Sequence, residues 1–279
     1  MVVKDGKNSS KNQVFKCKIC LKRFVVKRKD KTQFLLASYI KEKKILSTLA
    51  KNNKTSISTI QRALKSIDIA KPAKPENIKE VILLVDATYW GTGFGVVVFK
   101  DAISKKFIWW HFVERTELLD DYKLGLKWCL NNGYIIKAIV ADGLKGLAKI
   151  IKQAPFQICQ VHIQRTIQTK LTKKPKSAAG VELLELSKRL TMLSKESFIK
   201  ELDLWQEKHK EFLNEKSIDD SGRLRYTHRI LRSAHYTLKR NIAYLFTYEN
   251  VENLPKTNNG LESEFAHLKT KLRVHNGLK

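Results

Sequence analysis

The sequence predicts an α/β protein in which a mixed sheet core carries a helical insertion and follows a small helical domain. Three observations support this prediction. Apolar runs typical of buried strands cluster between residues 78 and 159, helical periodicity dominates residues 163–250, and shorter helical repeats occupy residues 32–66. A chain of 279 residues is long enough for a large core and a smaller domain.

Composition points to a polyanionic partner. The chain has 54 Lys and Arg against 27 Asp and Glu, a formal charge of +27. Nucleic acid is the usual partner of such a protein, and a membrane surface is the alternative. No apolar run approaches the roughly 20 residues that a membrane span needs, and the N-terminus lacks the apolar core of a secretory signal. Four scattered cysteines fit a reducing, cytoplasmic setting.

Residues 1–31 are predicted to form a basic segment that resembles part of a zinc ribbon. Residues 1–75 hold 20 Lys and Arg against 4 Asp and Glu. Cys17 and Cys20 form a Cys-x-x-Cys knuckle, which could give two thiolates to a tetrahedral zinc ion, although a structural site needs four ligands. Two interpretations stay open: a partial Zn²⁺ site, or two reduced thiols without metal on a hairpin.

Residues 32–70 are predicted to form a helix-turn-helix. Two amphipathic segments flank a polar break at residues 52–56, and Ser56 or Ser58 could cap the second helix. An ordinary helical hairpin is the alternative. The second helix would enter a major groove of DNA. Its candidate DNA-binding side chains are Ser58, Thr59, Gln61, Arg62 and Lys65. Two prolines mark residues 71–77 as a linker.

Residues 78–165 are predicted to form the first part of the sheet core. The apolar run Val81–Val85 ends at Asp86, and it is typical of a strand buried on both faces. The elements predicted after it are strands 94–99 and 106–113, helix 118–131, strand 135–142, helix 144–152 and strand 156–159. Short connections make the first three strands an antiparallel meander. The fourth strand also ends in a carboxylate, Asp142, so neighbouring first and fourth strands would bring the two carboxylates together.

The predicted insertion covers residues 166–254, with helices at 183–193, 198–212 and 226–248. Residues 255–279 then return to the core with a helix capped by Thr257 or Asn258. Glu262 lies in the first turn of that helix, where a carboxylate is favoured. Glu264 is its rival as a site residue, and the two cannot face one cleft because they are about 200° apart. Asp120 and Asp121 are interpreted as a solvated helix start.

Asp86, Asp142 and Glu262 are therefore the candidate catalytic and metal-binding residues. Three carboxylates in one cleft repel one another unless divalent cations neutralise them, and hard oxygen ligands suit Mg²⁺ or Mn²⁺. Two such ions would activate a water or a 3′-hydroxyl and stabilise the leaving oxygen of a phosphodiester. This chemistry acts on the polyanion that the charge predicts.

Several ordered motifs resemble those of bacterial DDE transposases of the IS256/Mutator-like superfamily, insertion-sequence enzymes with an RNase H-like core. They are Leu84-Val85-Asp86-Ala87-Thr88, Val140-Ala141-Asp142-Gly143, Cys159-Gln160-Val161-His162 and Thr257-Asn258-Asn259-Gly260-Leu261-Glu262. The resemblance covers about residues 78–275. It implies two Mg²⁺ or Mn²⁺ ions held by Asp86, Asp142 and Glu262. It also implies nicking at transposon ends and direct joining of 3′-hydroxyls to target DNA.

The same resemblance implies double-stranded DNA as partner, a homodimer or larger assembly on DNA, and a bacterial, nucleoid-associated location. Cys159 and His162 are auxiliary candidates: His162 would orient phosphate or brace the carboxylates, or the pair would simply pack behind the site. Arg165 is a further DNA-binding candidate. The single Cys-x-x-Cys and the early C-terminus depart from the family pattern, and the sequence leaves open whether both chain ends are truncated. A non-catalytic DNA-binding remnant and an RNase H-like nuclease or resolvase are the alternative functions.

Overall fold

The computed structural model describes residues 1–9, 11–25, 31–67, 72–74, 77–90, 93–151 and 154–273. The chain divides into two compact units, one containing Met1–Ala70 and the other Lys71–Thr270. No helix within the described ranges is both long and apolar enough to cross a lipid bilayer.

The first unit combines a small sheet with three short helices. Its elements are β1 (Val2–Lys7), β2 (Gln13–Cys17), β3 (Arg23–Val25), α1 (Thr32–Ile40), α2 (Leu46–Asn52) and α3 (Ile57–Lys65). The strands are antiparallel in the order β1-β2-β3. The helices pack around Leu35, Leu49 and Ile60. Ser56 caps α3, because its Oγ accepts the Thr59 N–H at 3.2 Å.

The second unit is built on a five-stranded mixed sheet. Its strands are β4 (Glu80–Trp90), β5 (Phe94–Asp101), β6 (Phe107–Val113), β7 (Ile135–Ala141) and β8 (Phe156–Ile158). Their order is β6-β5-β4-β7-β8, with antiparallel pairing among β4, β5 and β6 and parallel pairing of β4 with β7 and β7 with β8. The predicted meander is confirmed, and β4 does lie beside β7. This arrangement is consistent with an RNase H-like core.

The central strand, β4, is continuously apolar from Val81 to Val85, where both of its faces are buried. Val81 and Leu83 face one hydrophobic cluster, which also holds side chains of the insertion. Ile82 and Leu84 face a second cluster, which contains Leu261 of the C-terminal helix. Each of these strand residues is at most 3% exposed. The alternation of a strand thus assigns successive residues to two cores.

One strand boundary differs from the prediction. β4 continues through Asp86 to Trp90, since residues beyond Asp86 still pair with β5 as far as Trp90 opposite Phe94. The parallel ladder to β7 stops earlier, at Val85 opposite Ala141. Asp86 therefore lies inside a strand, but one position past the last parallel pair.

The helices of the second unit surround the sheet and form most of the insertion. These helices are α4 (Leu119–Asn131), α5 (Leu147–Ile150), α6 (Gln160–Leu171), α7 (Ala178–Lys188), α8 (Lys195–Lys208), α9 (Lys210–Asn214), α10 (Arg229–Leu245) and α11 (Asn259–Arg273). Between α9 and α10 lie two short strands, β9 (Lys216–Ile218) and β10 (Leu224–Tyr226).

The insertion contains a β-hairpin that was not predicted. Strands β9 and β10 pair antiparallel, so the predicted helix 226–248 starts only at Arg229. The turn between them is held by Asp219, whose Oδ1 accepts the N–H groups of Ser221 and Arg223 at 3.0 Å. Gly222 takes a positive φ of 73° there. The predicted helix 198–212 is likewise two helices, α8 and α9.

The helix start at Asp120 and Asp121 was only half correct. Asp120 is exposed and pairs with Lys123, whereas Asp121 is 4% exposed. Two guanidinium contacts from Arg115, at 2.8 and 3.0 Å, and the Leu118 N–H at 2.8 Å hold the Asp121 carboxylate. Asp121 is therefore a buried residue that fixes the loop before α4.

Candidate active site

Asp86 and Asp142 lie at the same end of the neighbouring strands β4 and β7. We call this end of the sheet the acidic sheet edge. Each follows its strand's last parallel pair, Val85 opposite Ala141, so the two occupy adjacent positions on neighbouring strands. Asp86 is 8% exposed, and its Oδ1 accepts the Ala87 N–H at 2.8 Å. The Oδ1 of Asp142 accepts the Leu144 N–H at 3.1 Å. Within the described residues, neither carboxylate has a salt bridge.

The electrostatics of this edge are unfavourable to negative charge. Burial raises the pKa of Asp86 to about 7, and Asp142 adds to the shift by like-charge repulsion. Glu262 and Glu117 contribute in the same direction, and only the Ala87 N–H opposes them. A buried carboxylate that must ionise here therefore needs a cation from outside the chain.

A fourth carboxylate, Glu117, belongs to this edge and was missed in the sequence. It lies in the loop between β6 and α4, where its N–H donates to the Tyr89 hydroxyl at 2.6 Å. Its Oε2 is buried and has no hydrogen-bond partner among the described residues. Burial, followed by the charge of Asp142, raises the pKa of Glu117. Nothing in the local sequence distinguishes it from an exposed loop residue.

Tyr122 closes the same edge from α4. The residue is 1% exposed, and its hydroxyl also lacks a hydrogen-bond partner in the described part of the chain. Burial, and then the charges of Asp142, Glu117, Asp86 and Asp121, raise the pKa of this phenol. Tyr122 therefore remains a neutral hydroxyl in the field of four carboxylates.

Glu262 points from α11 to α6. Its Oε1 and Oε2 accept hydrogen bonds from Arg165 at 2.7 and 2.8 Å, and His162 Nε2 lies 3.5 Å from Oε1. This is a bidentate guanidinium–carboxylate pair. It joins two predicted site residues that are 97 positions apart in the chain.

Glu264 faces a different partner. Its Oε1 accepts a hydrogen bond from Lys100 Nζ at 2.8 Å, and the same Nζ donates to the Gly260 carbonyl at 3.2 Å. Lys100 is only 3% exposed. As the helical spacing predicted, Glu262 and Glu264 lie in different surroundings, one beside α6 and one beside β5.

Asn258 connects the start of α11 to the sheet. Its side-chain amide donates to the Val85 carbonyl at 2.9 Å, and its N–H donates to Cys159 Sγ at 3.2 Å. The predicted side-chain cap is thus replaced by a tether, while the Asn258 carbonyl accepts the Glu262 N–H. Cys159 is fully buried, and burial raises the pKa of its thiol. His162 Nδ1 is buried without a partner in the described residues.

The donor set suits a divalent cation only in part. Asp86 and Asp142 offer hard oxygen ligands without any counter-charge of their own. Both oxygens of Glu262, by contrast, are taken by Arg165. Accordingly, across the described ranges no group of three or more His, Cys, Asp or Glu side chains is arranged to hold a metal ion.

The two N-terminal cysteines lie at the end of β2 and in the turn after it. Cys17 is partly exposed and Cys20 exposed, and both are free thiols. Hydrogen bonds from the backbone N–H groups of Cys20 and Ile19 lower the pKa of Cys17. Among the described residues, no group of three or more possible metal ligands is found at this knuckle. A Zn²⁺ site here therefore stays a prediction.

The candidate DNA-binding side chains of α3 form an exposed polar surface. They are Ser58, Thr59, Gln61, Arg62 and Lys65, and all are exposed. Ile60, in their midst, is 2% exposed and holds the helix to the small core. The helix thus has one buried and one accessible side.

The chain has structural likenesses among solved structures but no match at the level of sequence. No protein-family model matches the chain. No curated protein matches it either. The chain is similar to a solved structure described as "Drosophila P element transposase strand transfer complex", with a TM-score of 0.36 and 11% sequence identity. The match covers 94% of this chain and 86% of the other.

Proposed function

We propose that the protein is a metal-dependent DNA transposase of the DDE type, which cuts phosphodiester bonds at transposon ends and transfers the strands to target DNA. The observation that carries this proposal is the pair Asp86 and Asp142, a buried and a half-buried carboxylate on adjacent parallel strands without a cation from the chain. The formal charge of +27 supports a polyanionic substrate.

Asp86 and Asp142 would hold Mg²⁺ or Mn²⁺, with Glu262 as the third carboxylate. The bound ions would supply a reactive hydroxide or 3′-alkoxide and neutralise charge on the leaving oxygen. Glu262 can take this role only after it releases Arg165. The freed guanidinium would then lie beside the site, where it can hold a backbone phosphate of DNA through two parallel hydrogen bonds.

Binding to DNA would depend on the basic first unit. The exposed side chains of α3, including Gln61 and Arg62, have the donors and acceptors that contact base edges and phosphates. The Ser56 cap fixes the first turn of this helix. In this proposal α3 positions DNA, and the sheet edge of the second unit cuts it.

The test is cleavage of a supercoiled plasmid that carries the gene with its flanking DNA, in the presence of Mg²⁺ or Mn²⁺. We expect nicking by the wild-type chain and a loss of about 10²-fold or more in Asp86→Asn and Asp142→Asn, on the scale of removing one transition-state contact. Asp220→Asn, on the exposed hairpin turn, is the matched control and should retain activity.

Three outcomes would change the assignment. Nicking that persists in Asp86→Asn would rule out the proposed site. Sequence-selective DNA binding without any cleavage would indicate a non-catalytic remnant of a transposase. Cleavage of RNA–DNA hybrids without a need for flanking DNA would indicate an RNase H-like nuclease.

A further inference from the structure

The helical insertion contains a cavity of about 120 Å³ between α8, α9 and α10, away from the acidic sheet edge. Its polar lining is formed by Gln206, Lys210, Asn214, Arg232, His235 and Lys239. Three of these six side chains are cations, and no carboxylate is found among the described residues that line the cavity. We call this space the basic cavity.

The central observation is His235, which lines the cavity from α10. It is 4% exposed, yet its Nε2 has no hydrogen-bond partner among the described residues. Burial, together with the nearby charges of Lys239 and Arg232, lowers the pKa of this imidazole, whereas Asp203 opposes the shift. A neutral ring with an unused buried nitrogen is costly unless something completes its hydrogen bonding.

Arg232 is already fixed in place on the cavity wall. Its guanidinium stacks over the Tyr226 ring at 3.7 Å, and Nη1 donates to the Leu213 carbonyl at 2.8 Å and to Asn214 Oδ1 at 3.1 Å. Its Nε and Nη2 donate no hydrogen bond to an acceptor among the described residues. A guanidinium held this way loses little further entropy when it binds an anion.

The two lysines are partly engaged. Lys239 Nζ donates to Gln206 Oε1 at 2.9 Å, and Lys210 Nζ pairs with Glu207 at 3.0 Å. Glu207 and Asp203 are the carboxylates close to this group, so three cations face two carboxylates that lie outside the cavity lining.

We propose that the basic cavity binds a tetrahedral oxyanion, the phosphate group of a DNA backbone or of a free phosphate ester. Arg232 would donate through its unused N–H groups and Lys239 through its ammonium, and His235 would donate through Nε2–H after a side-chain movement that exposes this buried atom to the cavity. The site is independent of the carboxylates proposed for catalysis, and its occupation needs no metal.

The experiment compares Lys239→Gln with Arg240→Gln in the full-length chain. Both variants remove one positive charge from an exposed side chain of α10, but only Lys239 lines the cavity. In the first arm, inorganic phosphate replaces chloride at matched ionic strength. Phosphate should raise Tm by at least about 2 °C in the wild-type chain and in Arg240→Gln, as expected for about 1 kcal/mol of binding. The increment should vanish in Lys239→Gln.

The second arm measures binding of a DNA duplex over a salt series. If the phosphate belongs to a DNA backbone, the salt slope of Lys239→Gln falls by about one relative to Arg240→Gln. Equal slopes with a phosphate-specific Tm increment identify a free phosphate ester as the ligand. His235→Phe, which keeps an aromatic ring beside Trp205, should also lose the increment. The proposal is overturned if neither arm separates Lys239→Gln from Arg240→Gln.

Discussion

The carboxylates around the sheet edge form two groups that differ in their partners. Glu264, Glu262 and Asp121 each pair with a basic side chain of the chain itself. Asp86, Asp142 and Glu117 have no salt bridge among the described residues, although Asp86 is the most buried of these three. The first group lies on α11 and α4, and the second lies where β4, β7 and the loop before α4 meet.

This difference separates carboxylates whose charge is compensated by a basic side chain from carboxylates whose charge is not compensated among the described residues. Folding places a positive charge beside a paired carboxylate. Removing that carboxylate leaves the positive charge of its partner uncompensated, which destabilises the folded state. An uncompensated carboxylate raises the free energy of the folded state until a cation or a proton arrives. Substitutions in the two groups should therefore have opposite effects on the stability of the metal-free protein.

The largest effect is expected at Asp86. Its folded-state pKa of about 7 lies above the ordinary 3.8, so the folded state binds the proton more tightly than the unfolded state. The contribution of this group to stability is full below pH 4 and is lost as pH rises through 7. Asp86→Asn should remove this loss and raise the free energy of unfolding at pH 8 by up to about 4 kcal/mol.

The measurement is urea unfolding in EDTA at pH 5 and pH 8. Asp86→Asn should flatten the difference between the two pH values. Added Mg²⁺ or Mn²⁺ should stabilise the wild-type chain at pH 8 and leave Asp86→Asn nearly unchanged. An identical pH dependence in both proteins would contradict the assigned cost of this carboxylate.

A paired carboxylate should behave in the opposite way. Glu264→Gln leaves the ammonium of Lys100 buried without its counter-charge, and we expect a loss of about 2–3 kcal/mol because Glu264 itself is partly exposed. Adding Lys100→Met should recover much of that loss, since the buried charge is then gone. A double-mutant cycle by chemical denaturation measures the coupling. Additive effects would show that the pair is not a stabilising unit.

Glu262→Gln sharpens the contrast on the same helix. The pair with Arg165 is half-exposed, so its removal should change stability by less than about 1 kcal/mol. Cleavage of plasmid DNA should nevertheless fall to the level of Asp86→Asn. A stability loss as large as that of Glu264→Gln, with activity retained, would exchange the roles assigned to the two residues.

The smallest effect is expected at Glu117. Because this side chain is partly exposed, Glu117→Gln should stabilise the metal-free chain by less than about 1 kcal/mol. The same substitution should weaken the stabilisation of the chain by Mn²⁺, as a titration of Tm against metal would reveal. Destabilisation by Glu117→Gln would place Glu117 with the paired carboxylates.

The sheet was predictable because its signal is local. Continuous apolar runs indicated strands buried on both faces, and short connections indicated the meander. Because two predicted strands each ended in an Asp, the sequence also predicted that Asp86 and Asp142 would lie together on neighbouring strands. The strand end at Asp86 was wrong because a lone carboxylate is a poor guide to a boundary when Thr88 and Trp90 continue the β pattern.

Features that depend on distant partners were not predictable. Glu117 is set by the packing of its loop against Tyr89, and the Arg165–Glu262 pair joins residues on separate helices. The hairpin after α9 did have a local signal, the Asp219–Gly222 turn, but helical periodicity on both sides obscured it. The partners of Glu117, Arg165 and Glu262 depend on tertiary packing, which a single sequence does not reveal.

The tether of Asn258 has a consequence for the time course of biosynthesis. Its amide joins Val85 across 173 positions, so the central strand and the last described helix meet only after all the residues between them have been synthesised. Contacts of such long sequence separation form late and slowly. The nascent chain has therefore synthesised residues 1–70, which belong to its basic first unit, before α11 can complete the surroundings of Asp86.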